Sequence, residues 1–310
     1  MTTLTIRDFR ADDADDAEAA AAAHRAGRDH LVLTPEVFVW LNGHQPKGAH
    51  FRCLVAEVDG RVVGSVRCGV VTGTTTRGIG HANGSVLPEY RGRGAFTALL
   101  AAAERHLAEH GVVEVHSWVD EEPGALAFAA ARGYTEGRPA HFGGRDLALP
   151  LPEAPALPAG VELRPASDWE DDPYPIFLIE ADAIRDEPGE VEMDAADYEE
   201  FLNGAWARPD LDRELTVVAV VDGEPVAFSA AQTDGVDRYW SAFTACRREF
   251  RGRGLTKLAK LESLRRAREA GLRRAYTSND ATNAPMLAIN AWLGYERCAS
   301  ERKFTKRLDG

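Results

Sequence analysis

Two short runs in this chain place arginine and glycine where phosphate chemistry could use them: YRGRGAFTALL, from Tyr90 to Leu100, and FRGRGLTKLAK, from Phe250 to Lys260. In each, an apolar, strand-like stretch comes before and a helical pattern follows. The first N–H groups of a helix have no partner in their own ladder and carry the positive end of the helix dipole. Glycine lets an anion approach that backbone closely, and arginine adds charge-assisted contacts. The candidates are Arg91, Gly92, Arg93, Gly94, Ala95 and Phe96 in the first run, and Arg251, Gly252, Arg253, Gly254, Leu255 and Thr256 in the second. Gly254 is expected to have no room for a side chain. Neither run carries the dinucleotide fingerprint or the Gly-Lys-Ser/Thr ending of a nucleotide-triphosphate loop. A pyrophosphate fits these runs; a kinase or a dehydrogenase does not. The plain alternative, incidental charge on a loose surface turn, is weakened by the recurrence.

A second constellation is TSNDATNAPMLAINAWLGYE. Asn283 suits an N-cap, Pro285 is tolerated in a first turn, and Gly294 ends the helix. Met286, Ile289 and Leu293 recur at helical spacing and read as core. Asn290 lies seven residues after Asn283, so the two amides face roughly the same side. The corresponding stretch of the first half, PGALAFAAARGY, keeps the length and the ending without either amide.

The elements that must position these residues occur twice. LTIRDF reads as a strand, DADDAEAAAAAHRAG as a helix with an acidic first turn, and PEVFVWLN as a second helix. FRCLVAEV and VVGSVRCGVV flank Asp59-Gly60, a hairpin signal; GHANGSVL is a fourth strand and VVEVHSWV a fifth, with the long helix between them. The segment LPLPEAPALPAG, with four prolines in twelve residues, reads as an extended linker. VELRPA then restarts the cycle, with DYEEFLNGAWA helical and the hairpin around Asp222-Gly223. The pairs Gly94/Gly254, Gly60/Gly223 and Tyr134/Tyr295 lie 160, 163 and 161 residues apart. The expectation is two similar α/β domains, 1–148 and 161–310, joined by a linker over 149–160.

Composition bounds the rest. The chain has 310 residues, 45% of them hydrophobic, which is enough for two cores. A net charge of −13 disfavours nucleic acid and anionic membranes as partners. An acidic N-terminus without an export signal, and no apolar run of membrane-spanning length, predict a cytoplasmic protein. Cys53, Cys68, Cys246 and Cys298 lack metal-ligand spacing and are expected as free thiols, with no metal bound.

The whole arrangement resembles the GCN5-related N-acetyltransferase (GNAT) family, which acylates amines from acyl-coenzyme A. The family's coenzyme loop has Arg or Gln, two residues, Gly, one residue, then Gly or Ala. Here that is Arg91…Gly94…Phe96 and Arg251…Gly254…Thr256. Both depart at the last position, and Phe96 could crowd a pyrophosphate. The tandem layout is similar to mycothiol synthase and related actinobacterial acetyltransferases. The resemblance implies acetyl-CoA as co-substrate, a mixed and mostly antiparallel sheet in each domain, and direct attack by a small-molecule amine, for which the acidic stretch Asp186 to Asp194 suggests a cation. It also implies backbone contacts to the acyl-CoA from Val86 and from Thr244, Ala245, Cys246 and Arg247, with Asn283 and Asn290 beside the pantetheine arm. A monomer or a homodimer is compatible with all of this.

Many relatives place a tyrosine acid five residues before the final aromatic; here Asn290 and Ala129 stand there. Asn290 can donate a hydrogen bond to sulfur but cannot deliver a proton at neutral pH. A water, Tyr239 or Tyr276 could protonate the thiolate instead. All nine histidines precede Phe142, so a base for the second half is a carboxylate, a water relay or a residue crossing from the first domain. Glu180, Asp182, Glu187, Glu190 and Glu192 lie, by the family layout, around the acceptor cleft, although each alone fits a solvated face equally well. Cys246 reads as a small apolar strand residue rather than a nucleophile. The second half is the expected catalytic centre, since the first carries Phe96 and Ala129. The competing reading is a catalytically inert acyl-CoA-binding or regulatory tandem protein.

Overall fold

The computed structural model describes residues 3–184 and 197–308. The chain divides into two units, one of Met1–Pro139 with Ser300–Gly310, the other of Ala140–Ala299.

In the first unit the strands run in the order β1 (Leu4–Asp8), β2 (Arg52–Val58), β3 (Arg61–Val70), β4 (Ile79–Val86), β5 (Glu114–Asp120) and the end of β12 (Glu296–Arg307). All neighbours are antiparallel except β4 and β5. Helices α1 (Ala14–Arg25), α2 (Pro35–Gly43), α3 (Ala95–Glu109) and α4 (Pro123–Ala130) complete it. The Asp13 side chain caps α1 by accepting from the Asp15 and Asp16 amides. Burial would raise the Asp16 carboxyl, but hydrogen bonds from Arg7 and Arg10 hold it well below the usual carboxylate range.

The second unit repeats this plan. Its strand order is β7 (Val161–Pro165), β8 (Val217–Val221), β9 (Glu224–Thr233), β10 (Arg238–Cys246), β11 (Arg274–Asp280) and the end of β6 (Thr135–Asp146). Only β10 and β11 are parallel. Its helices are α5 (Tyr174–Ala183), α6 (Tyr198–Phe201), α7 (Leu255–Glu269) and α8 (Ala284–Trp292). Both predicted hairpins form around two residues in left-handed conformation, Asp59 and Gly60 at φ 50° and 82°, and Asp222 and Gly223 at φ 50° and 86°. That pair of positive φ values is what a two-residue turn needs to match the twist of its strands.

The units do not follow the sequence boundary at 148. Residues 140–146 of β6 pair with β11, from Ala140↔Asp280 to Asp146↔Arg274, and so belong to the second unit. Residues 301–307 of β12 pair with β5, from Glu301↔Asp120 to Arg307↔Glu114, and belong to the first. Each half thus gives its last strand to the other unit's sheet. Phe304 is 2% exposed among Leu54, Leu99 and Val115 in the first core, and Leu147 is fully buried with Leu264 and Leu293 in the second. A strand's hydrophobic pattern says that it needs an edge and is silent on which of two similar edges it takes.

Candidate active site

The parallel strand pair of each unit stays together briefly and then parts. Strands β4 and β5 share the ladder positions Ile79↔Glu114, Gly80↔Val115 and His81↔His116. Past these, Ser117 Oγ donates to the Ala82 carbonyl at 2.6 Å, and the Trp118 amide donates to Asn83 Oδ1 at 2.8 Å. Strands β10 and β11 pair through Arg238↔Arg274, Tyr239↔Ala275 and Trp240↔Tyr276, with Thr277 Oγ1 donating to the Ser241 carbonyl at 3.1 Å. In the first unit the parting strands wall a cavity of about 630 Å³, bordered by Gly84 and Val86 of β4, Ser117 to Asp120 of β5, and the turn residues Arg91, Gly92, Gly94, Ala95 and Phe96.

At the open end of each splay stands the arginine-glycine turn. Gly92 and Gly94 have φ 74° and 85°, and Gly252 and Gly254 have 75° and 76°. Gly94 and Gly254 are the N-cap positions of α3 and α7, and no side chain caps either helix. The leading N–H groups therefore face outward, ready for an anion. A Cβ on Gly254 would meet no atom within 4 Å, so the expectation of a crowded glycine is corrected. Glycine is needed there for its left-handed backbone, and the space beside it is open. Arg91 Nε donates to the Val86 carbonyl at 3.3 Å and Arg251 Nε to the Cys246 carbonyl at 3.1 Å, so the first arginine of each run ties the turn to the end of its strand. Arg253 donates to the Glu249 carbonyl at 3.1 Å and lies over the Phe250 ring; Arg93 lies over Tyr90. Phe96 turns into the cavity wall against Phe128, with ring centroids 5.3 Å apart, and toward Gly84.

Strand β10 differs from β4 in one respect that bears on chemistry. Ser241 pairs with Ala231 and Thr244 with Ser229, so three steps on β10 match two on β9. This one-residue bulge re-aims the backbone around Ala242 and Phe243 at the mouth of the splay. The register of β3 with β4 runs unbroken from Gly64↔Val86 to Val70↔Gly80. Beyond the bulge, the Thr244 hydroxyl lies 3.3 Å from that of Ser229, and Ala245 and Cys246 are buried. Arg247 is engaged by Glu224 and, at 3.6 Å, by Glu249. Burial pushes the Cys246 thiol up to about 11, as befits an apolar strand residue and not a nucleophile.

The remaining candidates separate clearly. Asn283 Oδ1 accepts from the Met286 amide at 3.3 Å, which makes it the N-cap of α8. Asn290 is buried, and its Nδ2 donates to Asn279 Oδ1 at 2.5 Å while its own Oδ1 has no partner. Tyr239 contradicts the expectation of a proton donor. It is fully buried, its hydroxyl 2.7 Å from that of Ser263, which donates to the Leu215 carbonyl. Tyr276 sits on the face of β11 opposite Ala275 and Thr277, both of which are buried. Asp182 Oδ2 accepts from the Arg248 amide at 2.7 Å, so it braces the start of the turn rather than standing free as a base. Glu180 lies on the same helix, α5. Glu187, Glu190 and Glu192 lie outside the described residues.

Two groups escaped the sequence reading. Lys260 on α7 is 1% exposed, and burial pushes its ammonium down to about 7. Its signal was available, because Lys260, Leu264 and Ala267 share one helical face and the first half has Leu100 at the same place. Glu301 on β12 is pushed up to about 7 by burial, against the opposing effect of Arg28. Only the strand exchange brings it opposite Asp120, so no local pattern could announce it.

Comparison with known proteins accords with this geometry. The sequence pattern described as the acetyltransferase (GNAT) family matches residues 19–134 and 167–295. A mycothiol acetyltransferase of Nocardioides sp. is 28% identical over 221 residues, which is 68% of this chain and 74% of that protein. That of Nocardiopsis dassonvillei is 28% identical over 298 residues, covering 88% and 87%. Among solved structures, a tandem GNAT protein from the clavulanic acid biosynthesis pathway shares the fold with a TM-score of 0.75 at 23% identity over 99% of both chains. A GCN5-related N-acetyltransferase from Sphaerobacter thermophilus gives 0.70 at 21% identity, over 98% of this chain and 95% of that one. With its family matched over both halves, and with two copies of the splayed strand pair and its glycine turn, this chain belongs to the GNAT family of acetyltransferases and is an acetyl-transferring enzyme in tandem form.

Proposed function

We propose that the enzyme transfers an acetyl group from acetyl-CoA to the primary amine of a small molecule, with the reaction centred on the unit of residues 140–299. The observation that carries this reading is the bulge in β10, set where β10 and β11 part and directly ahead of the uncapped start of α7. The residues fit an acyl-CoA: open space beside Gly254 and free leading N–H groups suit a pyrophosphate, and the buried, unpartnered Oδ1 of Asn290 suits a polar group of the arm. Residues 251–256 would hold the pyrophosphate, and the backbone around Ala242 and Phe243 would donate to the thioester oxygen as charge develops on it. Direct attack by the neutral amine then needs alignment more than covalent help from the protein.

The first unit supports a second reading for itself, acyl-CoA binding without turnover. Its cavity of about 630 Å³ falls within the ~300–1,000 Å³ of small-molecule sites. Its β4 has no bulge, and Ala129 occupies the place of Asn290. The relatives named as mycothiol acetyltransferases favour a small metabolite amine as acceptor, and des-acetyl mycothiol is the first to try. The test is thiol release from acetyl-CoA across des-acetyl mycothiol, aminoglycosides, polyamines, amino acids and peptides, followed by mass identification. Acceptor-dependent release with a gain of about 42 Da, the acetyl-for-hydrogen exchange of amide formation, supports the proposal. Turnover on peptide termini alone overturns the small-molecule assignment, and inactivity across the panel supports binding without catalysis.

A further inference from the structure

The two units carry different side chains at matching positions of the repeat. In the first, Leu100 of α3, Ala125 and Ala129 of α4, and Tyr134 border the cavity between the parting strands. Helices α3 and α7 are both 15 residues long and begin at equivalent glycines, so Lys260 is the counterpart of Leu100. Counted back from Tyr295 as Ala125 and Ala129 are from Tyr134, Met286 and Asn290 are theirs. These counterparts also meet in the second unit: Lys260 Nζ lies 3.9 Å from the Met286 sulfur and 5.6 Å from the centroid of the Tyr295 ring. A thioether and a ring face are soft partners, and among the described residues no carboxylate pairs with this ammonium. A buried cation so placed costs stability, and a hydrocarbon of the same length would serve packing better. Its counterpart Leu100 borders the first unit's cavity, so by the repeat Lys260 stands where the proposed reaction would leave a thiolate.

We propose that Lys260 is the catalytic acid of the second unit, protonating the coenzyme A sulfur as it departs. This rests on the reading that places the acyl-CoA arm between β10 and β11. In the step, the amine nitrogen forms its bond to the acetyl carbon and the carbon–sulfur bond breaks with its electron pair going to sulfur. One proton passes from Lys260 Nζ to that sulfur. The proton lost by the amine nitrogen goes to water, and Lys260 is recharged from solvent. The groups around Nζ are few. Met286 comes from α8; the Tyr295 phenol is held neutral by burial; Arg145 of β6 faces Tyr295; and Lys257 on the same helix is held over Trp292. The Tyr295 phenol also holds a proton, but burial raises it well above the ordinary phenol and makes it the weaker acid, so Lys260 is the better fit for the role left open by Asn290.

The test uses the full chain and free coenzyme A, and so needs no knowledge of the acceptor. The thiolate absorbance of bound coenzyme A is titrated in the wild type and in Lys260→Met, with affinities measured by calorimetry. Any contribution of the first unit is common to both proteins and cancels in the difference. We expect the bound thiol to ionise at least one pH unit lower in the wild type, with comparable affinity in both. Turnover of an accepted amine by Lys260→Met should fall at least tenfold in kcat with little change in the KM for acetyl-CoA. Superimposable thiol titrations at equal affinity overturn the proposal. Coenzyme binding that Gly94→Trp abolishes and Gly254→Trp leaves intact overturns the placement of the arm in the second unit, a different failure.

Discussion

At Gly254 the requirement for glycine comes from the backbone, and this alters what a substitution should do. A φ of 76° costs an L-residue about 1–2 kcal/mol, and a β-carbon there would project into the open space beside the helix start. Gly254→Ala should weaken acetyl-CoA binding about tenfold or more by calorimetry; Gly94→Ala measures the same dependence in the first unit. Tyr239→Phe should lose the bond to Ser263, destabilise by about 1 kcal/mol, and leave kcat unchanged, as its burial demands. Lys260 gives a pH signature. Its folded value of about 7 lies below the ordinary ~10.4, so the unfolded chain holds more protons between those limits and stability rises with pH across them. Lys260→Met removes that dependence. Its melting temperature should exceed the wild type's by more at pH 6 than at pH 10, a comparison that differential scanning calorimetry makes directly. At this scale the sequence read Asn283 as a cap and Cys246 as an apolar strand residue correctly, because caps and apolar strand positions are local matters, whereas the crowding expected at Gly254 was absent. It misjudged Tyr239, because proximity along a strand does not say which face is covered.

Among the elements, the two helices that open at glycine show how one pattern was adapted twice. Helix α3 carries Phe96 into its cavity wall beside Gly84, where a β-carbon would press the Ser65 carbonyl, whereas α7 has Thr256 at the matching second position and carries Lys260 inward. Helix α8 is held at its start by Asn283, so Asn283→Ala should cost about 1 kcal/mol in denaturant unfolding while the affinity for acetyl-CoA changes by less than threefold. Element order, both hairpins and both long helices were legible, since each rests on a period or a turn signal within a dozen residues. The β10 bulge was not. Its cause is the mismatch of β10 against β9, which neither strand's sequence records alone.

For the molecule as a whole, the exchange of last strands sets which pieces can stand alone. A fragment of residues 1–148 follows the linker yet lacks the strand that covers β5 and lacks Phe304 in its core. It should not give a cooperative unfolding transition, whereas a fragment joining 1–139 to 300–310 through a flexible tether should. In the full chain, Phe304→Ala should destabilise the first unit by about 3–5 kcal/mol, read as an earlier transition in calorimetry. Two α/β domains were legible from the repeat; their composition was not, because identical local patterns leave the choice of edge to long-range pairing. Among the described residues, no helix is long and apolar enough to cross a membrane.

The pairing of Ser117 with Phe304 has a consequence for the order of events during synthesis. A ribosome makes the chain from its N-terminus at about 5–20 residues per second, and domains ordinarily close as they emerge. Here the first unit has its turn, its helices and five of its strands in hand long before its sixth exists. Until residues 301–307 clear the exit tunnel, that side of β5 stays bare and open to any extended segment. A strand made late therefore completes a unit begun early, and a chain that stops before residue 300 leaves that earlier unit unfinished.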